Sequence, residues 1–212
     1  MKHDELQRVR PGFDDVAHGS QAVFRCALDA LSRPGRAVAV PAVASHPGAG
    51  HTAAALLLLA LLDNDCTLWL SPRLAGSDAE AWLRFHTGCR VVADPAAARF
   101  AWLAAGDVWP PLGAFHAGTD LDPDQAATCV IEVDLPAAAS AGAQTWNLQG
   151  PGIQDTQTLR TRGLPPAFEA ERAVLHGAFP RGVDVFLASD THLVGLPRTT
   201  ALRAEHTPPQ EA

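Results

Sequence analysis

Two short stretches carry residue types that could receive an anion. The first is LQGPGIQDTQTL, residues 148–159, in which Gly150 and Gly152 flank Pro151 and threonines follow. Glycine adopts positive φ and lets backbone N–H groups come close to an anion, while proline stiffens the turn and brings no donor. The same residues also make a tight turn between two strands, and Gly-Pro-Gly is a strong loop signal. A phosphate-binding P-loop places Lys and then Ser or Thr after its last glycine; here Ile153 follows Gly152. Local chemistry leaves both readings open and favours the turn.

The second stretch is GLPRTT, residues 195–200. Pro197 fixes the backbone before Arg198, and a guanidinium beside two hydroxyls suits phosphate or phosphonate oxygens through charge-assisted hydrogen bonds. The competing reading pairs Arg198 with a carboxylate at the edge of the core and leaves Thr199 and Thr200 as strand formers. Each stretch adjoins a predicted strand. Were their ends to meet, Gly150, Gly152, Arg198, Thr199 and Thr200 would form one anion-binding candidate site.

Other chemistries find less support. His46 and His51 are five apart and His86 stands three before Cys89, but neither pair extends to the three or four ligands of a zinc site. DNDCT at Asp63 opens like a calcium loop, yet lacks the glycine at its sixth position and the glutamate at its twelfth. No GxSxG elbow and no GxGxxG after a strand is present. No metal is expected, and no residue is assigned a catalytic role. Cys26, Cys66, Cys89 and Cys129 are far apart in apolar surroundings and read as buried free thiols.

The formal charge is −7 and no basic run occurs, which argues against nucleic acid as a partner. The longest apolar run, AAALLLLALL at residues 53–62, is too short to span a bilayer, so no membrane partner is expected. MKHDELQRVR has no apolar segment behind its charges and is no secretory signal. A cytoplasmic location follows as the expectation. Lys2 is the only lysine, which bears on any chemistry that needs a Schiff base.

The positioning elements are predicted from periodicity. Apolar residues from Phe13 to Leu31, among them Val16, Val23, Phe24, Ala27 and Leu28, follow a helical spacing that Ser32-Arg33-Pro34-Gly35 stops. RAVAV alternates like a strand entering a core. A second helix, about residues 51–62, is apolar almost all round and should be sandwiched. CTLWL is a strand. Ser77 and Glu80 match a capping box for a helix to Thr87 that Gly88 ends.

CRVVAD, FAWLAAG and TCVIEVDL are further strands, and QTWNLQ with TQTLRTR looks like a hairpin around the GPGI turn. A last helix covers about residues 167–176. GVDVFLAS and HLVGL make another pair of strands, which RTTALR could extend. The fold class is α/β, with a mixed β-sheet between helices, in a single domain over residues 13–203. Residues 1–12 and 204–212 are expected to be flexible termini.

SRPG after the first helix, LLLALLD before a strand, FHTG, GPGI, FPRGVDVFL and LPRTT occur in that order. Together they resemble the PhnH subunit family of the bacterial carbon–phosphorus (C–P) lyase system, from about residue 13 to residue 202. The resemblance implies a fold like the large domain of pyridoxal-phosphate (PLP)-dependent transferases and a homodimer. It implies a core complex with PhnG, PhnI and PhnJ for organic phosphonate catabolism. With PhnL, that complex displaces adenine from ATP with a phosphonate, giving a ribose 1-phosphonate 5-triphosphate.

Cofactor chemistry in that family lies in the iron–sulfur radical step of PhnJ, so none is expected here. A PLP aldimine needs a lysine in the site, and Lys2 sits at the terminus. The expected role is a structural or substrate-positioning subunit, not itself catalytic. The alternative is a catalytic transferase subunit with its own nucleotide or phosphonate site, built from Arg198, Thr199, the GPGI loop and His86.

Overall fold

Residues 10–205 are described in the computed structural model of the protein. A seven-stranded sheet runs in the order β1 (Val38–Ala39), β9 (His192–Leu196), β8 (Asp184–Ala188), β5 (Thr128–Glu132), β4 (Phe100–Leu103), β2 (Thr67–Leu70), β3 (Arg90–Val91). Neighbouring strands from β3 to β8 are parallel, while β9 is antiparallel to both β8 and β1. A separate antiparallel sheet has the order β10 (Ala201–Ala204), β6 (Gln144–Gln149), β7 (Gln157–Thr161). Four α-helices among the described residues complete the architecture: α1 (Val16–Ser32), α2 (Thr52–Leu61), α3 (Asp78–Thr87) and α4 (Phe168–Gly177).

The period-two alternation of strand side chains divides the core in two. Leu68, Trp102, Val130 and Phe186 face α1, α2 and α3. Ala101, Leu103, Cys129, Ile131, Val185 and Leu187 face the other way, against Trp146, Leu148, Leu159 and Leu202 of the small sheet and Phe168 of α4. The expected α/β class and large mixed sheet are present, with helices α1–α3 on one face and α4 on the other, and a second, three-stranded sheet is added to them. The GPGI hairpin and β10 cover much of the α4 face. β6 and β7 alternate buried and more open residues, whereas β5, β8 and β9 each bury four residues in a row, so the small sheet keeps one face towards solvent while the large sheet is covered on both.

Local signals explain most element ends. Ser77 Oγ accepts the Ala79 N–H at 3.1 Å, and Gly88 closes α3 at φ +74°. Glu80 reaches back one residue further than a capping box requires, accepting the Gly76 N–H at 2.7 Å. Residues Ala53 to Leu58 of α2 are all buried, as the all-round apolar pattern requires. The first helix departs from its expected stripe. Gly19, Val23, Ala27 and Ala30 face inward, while Val16, Phe24 and Leu28 are 74%, 44% and 52% exposed. The reason is close approach: a Cβ on Gly195 of β9 would lie 2.5 Å from the Ala30 carbonyl oxygen, so only small side chains fit between.

RAVAV supplies just the two-residue edge strand β1, with Val38 half-buried and Ala39 exposed, and CRVVAD just β3. Cys89 and Cys129 are buried, whereas Cys26 and Cys66 are only half-buried; all four thiols are free. Residues 1–9 and 206–212, the greater part of the expected flexible termini, lie outside the described residues. The adjoining residues are tied down. Arg10 donates to the His46 carbonyl at 3.1 Å, the Pro11 carbonyl accepts from Trp82 Nε1 at 3.2 Å, and the Glu205 N–H reaches the Thr145 carbonyl at 2.9 Å.

Candidate functional site

The GPGI turn follows directly from its residues. Pro151 and Gly152 occupy the corner, Gly152 at φ +85°, and the Ile153 N–H donates to the Gly150 carbonyl at 3.1 Å. Proline followed by a glycine of positive φ is the type II pattern. Glycine is also required sterically. A Cβ on Gly152 would lie 2.4 Å from the Ser32 carbonyl oxygen, and one on Gly150 would lie 2.8 Å from the Thr199 carbonyl oxygen. The turn is therefore wedged between the end of α1 and the LPRTT segment.

The pairing of β10 with β6, Ala201 opposite Gln149, brings the two expected segments together. It does not bring the arginine. Arg198 turns to the start of β8, where Nε donates to Asp184 Oδ1 at 3.3 Å and Nη2 to Oδ2 at 2.5 Å. The backbone N–H of Arg198 also reaches Asp184 Oδ1, at 2.8 Å, and Nη1 is bonded to the Pro123 carbonyl. Thr200 is buried; its N–H closes a turn onto the Pro197 carbonyl at 2.9 Å, and its hydroxyl oxygen has no partner among the described residues. Of the five expected residues, Gly150 thus adjoins Thr199 and Thr200, Gly152 lies on Ser32, and Arg198 neutralises a carboxylate.

A second arginine, missed in the sequence, clamps the same segment from inside. Arg172 of α4 is buried, and donates from Nη1 to the Val183 carbonyl at 3.0 Å and from Nη2 to those of Pro197 at 2.7 Å and Thr200 at 3.3 Å. Desolvation pushes its pKa down to about 10, partly offset by the nearby Asp184 carboxylate. Its signal was present: Phe168, Arg172 and Leu175 share one face of α4, and all three are buried.

The carboxyl ends of parallel strands are the usual ligand position in α/β sheets. Here Glu132, the last residue of β5, is buried and fully engaged. Its Oε1 accepts from the His51 N–H at 2.7 Å and Trp102 Nε1 at 2.9 Å, and Oε2 from the Ala105 N–H at 3.0 Å. Asp78 holds the same loop through the Gly48 and Ala49 N–H groups, at 2.6 and 3.1 Å. These carboxylates fix the entrance to α2. A glutamate closing the apolar run CVIE was the sequence signal for Glu132.

His86 sits elsewhere, with Nε2 2.9 Å from the Arg10 carbonyl oxygen and its ring edge-on to Trp82 and Phe85. No cluster of three or more His, Cys, Asp or Glu suited to a metal occurs among the described residues. Burial raises the Cys129 thiol to about 12, which makes it inert as a nucleophile at neutral pH. Beside the GPGI turn lies an open cleft of about 280 Å³, lined by Arg33, Pro34, Arg36 and residues 152–157.

Comparison with known proteins gives a consistent picture. The family described as "Bacterial phosphonate metabolism protein (PhnH)" matches residues 11–203. Alpha-D-ribose 1-methylphosphonate 5-triphosphate synthase subunit PhnH of Rhizobium meliloti (strain 1021) is 36% identical over 193 residues, 91% of this chain and 94% of that protein. HtxG of Stutzerimonas stutzeri, whose C-P lyase subunit role is itself an inferred one, is 32% identical over 184 residues, 85% of this chain and 84% of that protein.

Proposed function

Because the chain belongs to the PhnH family of bacterial phosphonate metabolism proteins, we propose that it is a subunit of a ribose 1-methylphosphonate 5-triphosphate synthase. In that role it holds or positions substrate and does not itself perform the transfer. The match along nearly the whole of both chains carries this reading. Its partners are then PhnG, PhnI and PhnJ, and on its own it forms a homodimer in the cytoplasm. No helix among the described residues is long and apolar enough to cross a membrane.

Residues 13–203 act as one domain of the PLP-transferase large-domain type, without the cofactor site. The large sheet with a single reversed strand, β9, second from one edge, supports that fold reading. Lys2 lies outside the described residues. The engagement of Glu132, Arg172 and the Asp184–Arg198 pair supports a non-catalytic role, since these charges serve backbone groups, the Trp102 indole and each other. An anion beside Gly150 and Gly152 would accordingly meet cations other than Arg198.

Growth tests the proposal. The chain is introduced into a bacterium lacking its own member of the family, with methylphosphonate as sole phosphorus source, and a tagged copy is isolated with its companions. Restored growth and co-isolation of PhnG, PhnI and PhnJ are expected. A chain that is folded and abundant but restores no growth would refute it.

A further inference from the structure

The small sheet presents one face to the core through Trp146, Leu148, Leu159 and Leu202. Strand alternation turns the other face outward, and that face is polar throughout except for Ala201. The register sets Arg203, Asn147 and Thr158 in one row, with Gln149 beside Ala201 in the next. A second open cleft, of about 360 Å³, lies over Asn147, Gln149, Thr156 and Arg203. It shares Thr156 as a wall with the cleft of Arg33 and Arg36, so the two clefts adjoin at that residue as a divided groove.

Two arginines lining this groove have no acceptor among the described residues. Neither Arg36 nor Arg203 makes a side-chain hydrogen bond or ion pair among the described residues, and both are exposed. Arg160 lines neither cleft, but one row along the same face it has a buried Nε without a partner among the described residues. A guanidinium atom taken out of water and left unpaired calls for an acceptor. Arg33 differs, since it is paired with Asp29 at 2.8 Å. Backbone donors join the arginines: the N–H groups of Gln154 and Asp155 in the cleft wall donate to no protein acceptor among the described residues.

Two acids lie nearby, Asp155 in the cleft wall next to Thr156 and Glu205 beyond Thr145, and the unpaired Arg36 and Arg203 stand on either side of Thr156 against them. The lining contains no aromatic ring on which a base could stack, but several amides and a hydroxyl that suit sugar hydroxyls. We propose that this groove binds the phosphate chain of a phosphorylated sugar, spanning Arg36 to Arg203 across Thr156, and that it does not read a nucleobase. The proposal rests on the subunit reading above for its biological ligand, and it supplies that subunit with a substrate-holding surface away from Arg198.

The test uses the full chain with inorganic tripolyphosphate as probe, followed by titration calorimetry and phosphorus NMR. Saturable binding is expected, with Arg36→Ala and Arg203→Ala each weakening it at least tenfold. Arg25→Ala, an equal charge change on exposed α1, should leave it unchanged, and adenosine should not compete. Absence of binding at about 1 mM probe overturns the proposal, as does equal weakening by Arg25→Ala or competition by adenosine. The two readings separate cleanly. A chain that restores phosphonate growth without binding tripolyphosphate refutes the groove alone; a chain that binds but restores no growth refutes the subunit reading.

Discussion

Replacing Arg172 with methionine tests how the LPRTT segment is held. Methionine keeps much of the aliphatic volume but removes every donor, leaving the carbonyls of Val183, Pro197 and Thr200 without the guanidinium. Breaking a buried charged contact costs about 3–5 kcal/mol. Part returns because the cation no longer has to be desolvated, the same cost that lowers its pKa to about 10. The expected loss is therefore near the bottom of that range, ~3 kcal/mol. For a chain of this length each kcal/mol moves the midpoint by roughly 2–4 °C, so calorimetry should show a Tm drop of about 6–12 °C.

Arg172→Lys should fall between, because one ammonium cannot span carbonyls on both sides of the segment. Arg198→Ala should cost less, about 1–3 kcal/mol, since the Arg198–Asp184 pair keeps partial access to water. A Tm change under about 2 °C for Arg172→Met, or a larger loss for Arg198→Ala, would refute the inner clamp.

Gly152→Ala should destabilise by about 1–3 kcal/mol in urea unfolding, because the residue has φ +85° and its Cβ would meet the Ser32 carbonyl oxygen at 2.4 Å. The α1 N-cap should be strongest between the ordinary pKa values of its partners, 3.8 for Asp15 and 6.5 for His18. The hydrogen bond between them lowers Asp15, so its support is lost as pH falls through that lowered value; it raises His18, whose support is lost as pH rises through the raised one. Proton NMR should place the His18 titration above 6.5 and return it towards that value in Asp15→Asn.

Elements whose ends carry their own chemistry were legible before any coordinates. Ser77 and Gly88 delimit α3 through a side-chain cap and a left-handed glycine, both local properties of the chain. The GPGI hairpin was legible for the same reason. Partition of strands between two sheets was legible only in part. β6 alternates while β8 buries four residues in a row, which separates a sheet with one wet face from a covered one, but which strand pairs with which rests on contacts distant in sequence. In the candidate site, neither the adjacency of Gly150 with Thr199 and Thr200, which the pairing of β10 with β6 creates, nor the direction of Arg198 was legible in the sequence. That direction depends on Asp184, fourteen residues earlier, at the head of a strand. Glu132 and Arg172 were visible as charges within apolar patterns, and what they hold is distant in sequence.

Three of the five tryptophans, Trp82, Trp102 and Trp146, are fully buried, and Trp69 and Trp109 are half-buried. They are core residues first, so an association surface must be sought elsewhere.

The position of β9 has a consequence for the order in which the chain can be completed during synthesis. β1 is made early, yet among the described residues its only strand partner is β9, where Val38 pairs with Leu193. β6 likewise waits for β10, with Leu148 opposite Leu202. Both closures use strands made after all the others of their sheets, so a nascent chain that has not yet added β9 and β10 has two open sheet edges. Such edges template wrong pairings. A truncation at residue 190 would thus not yield a smaller folded protein but an aggregating one, even with α2 and the parallel strands intact.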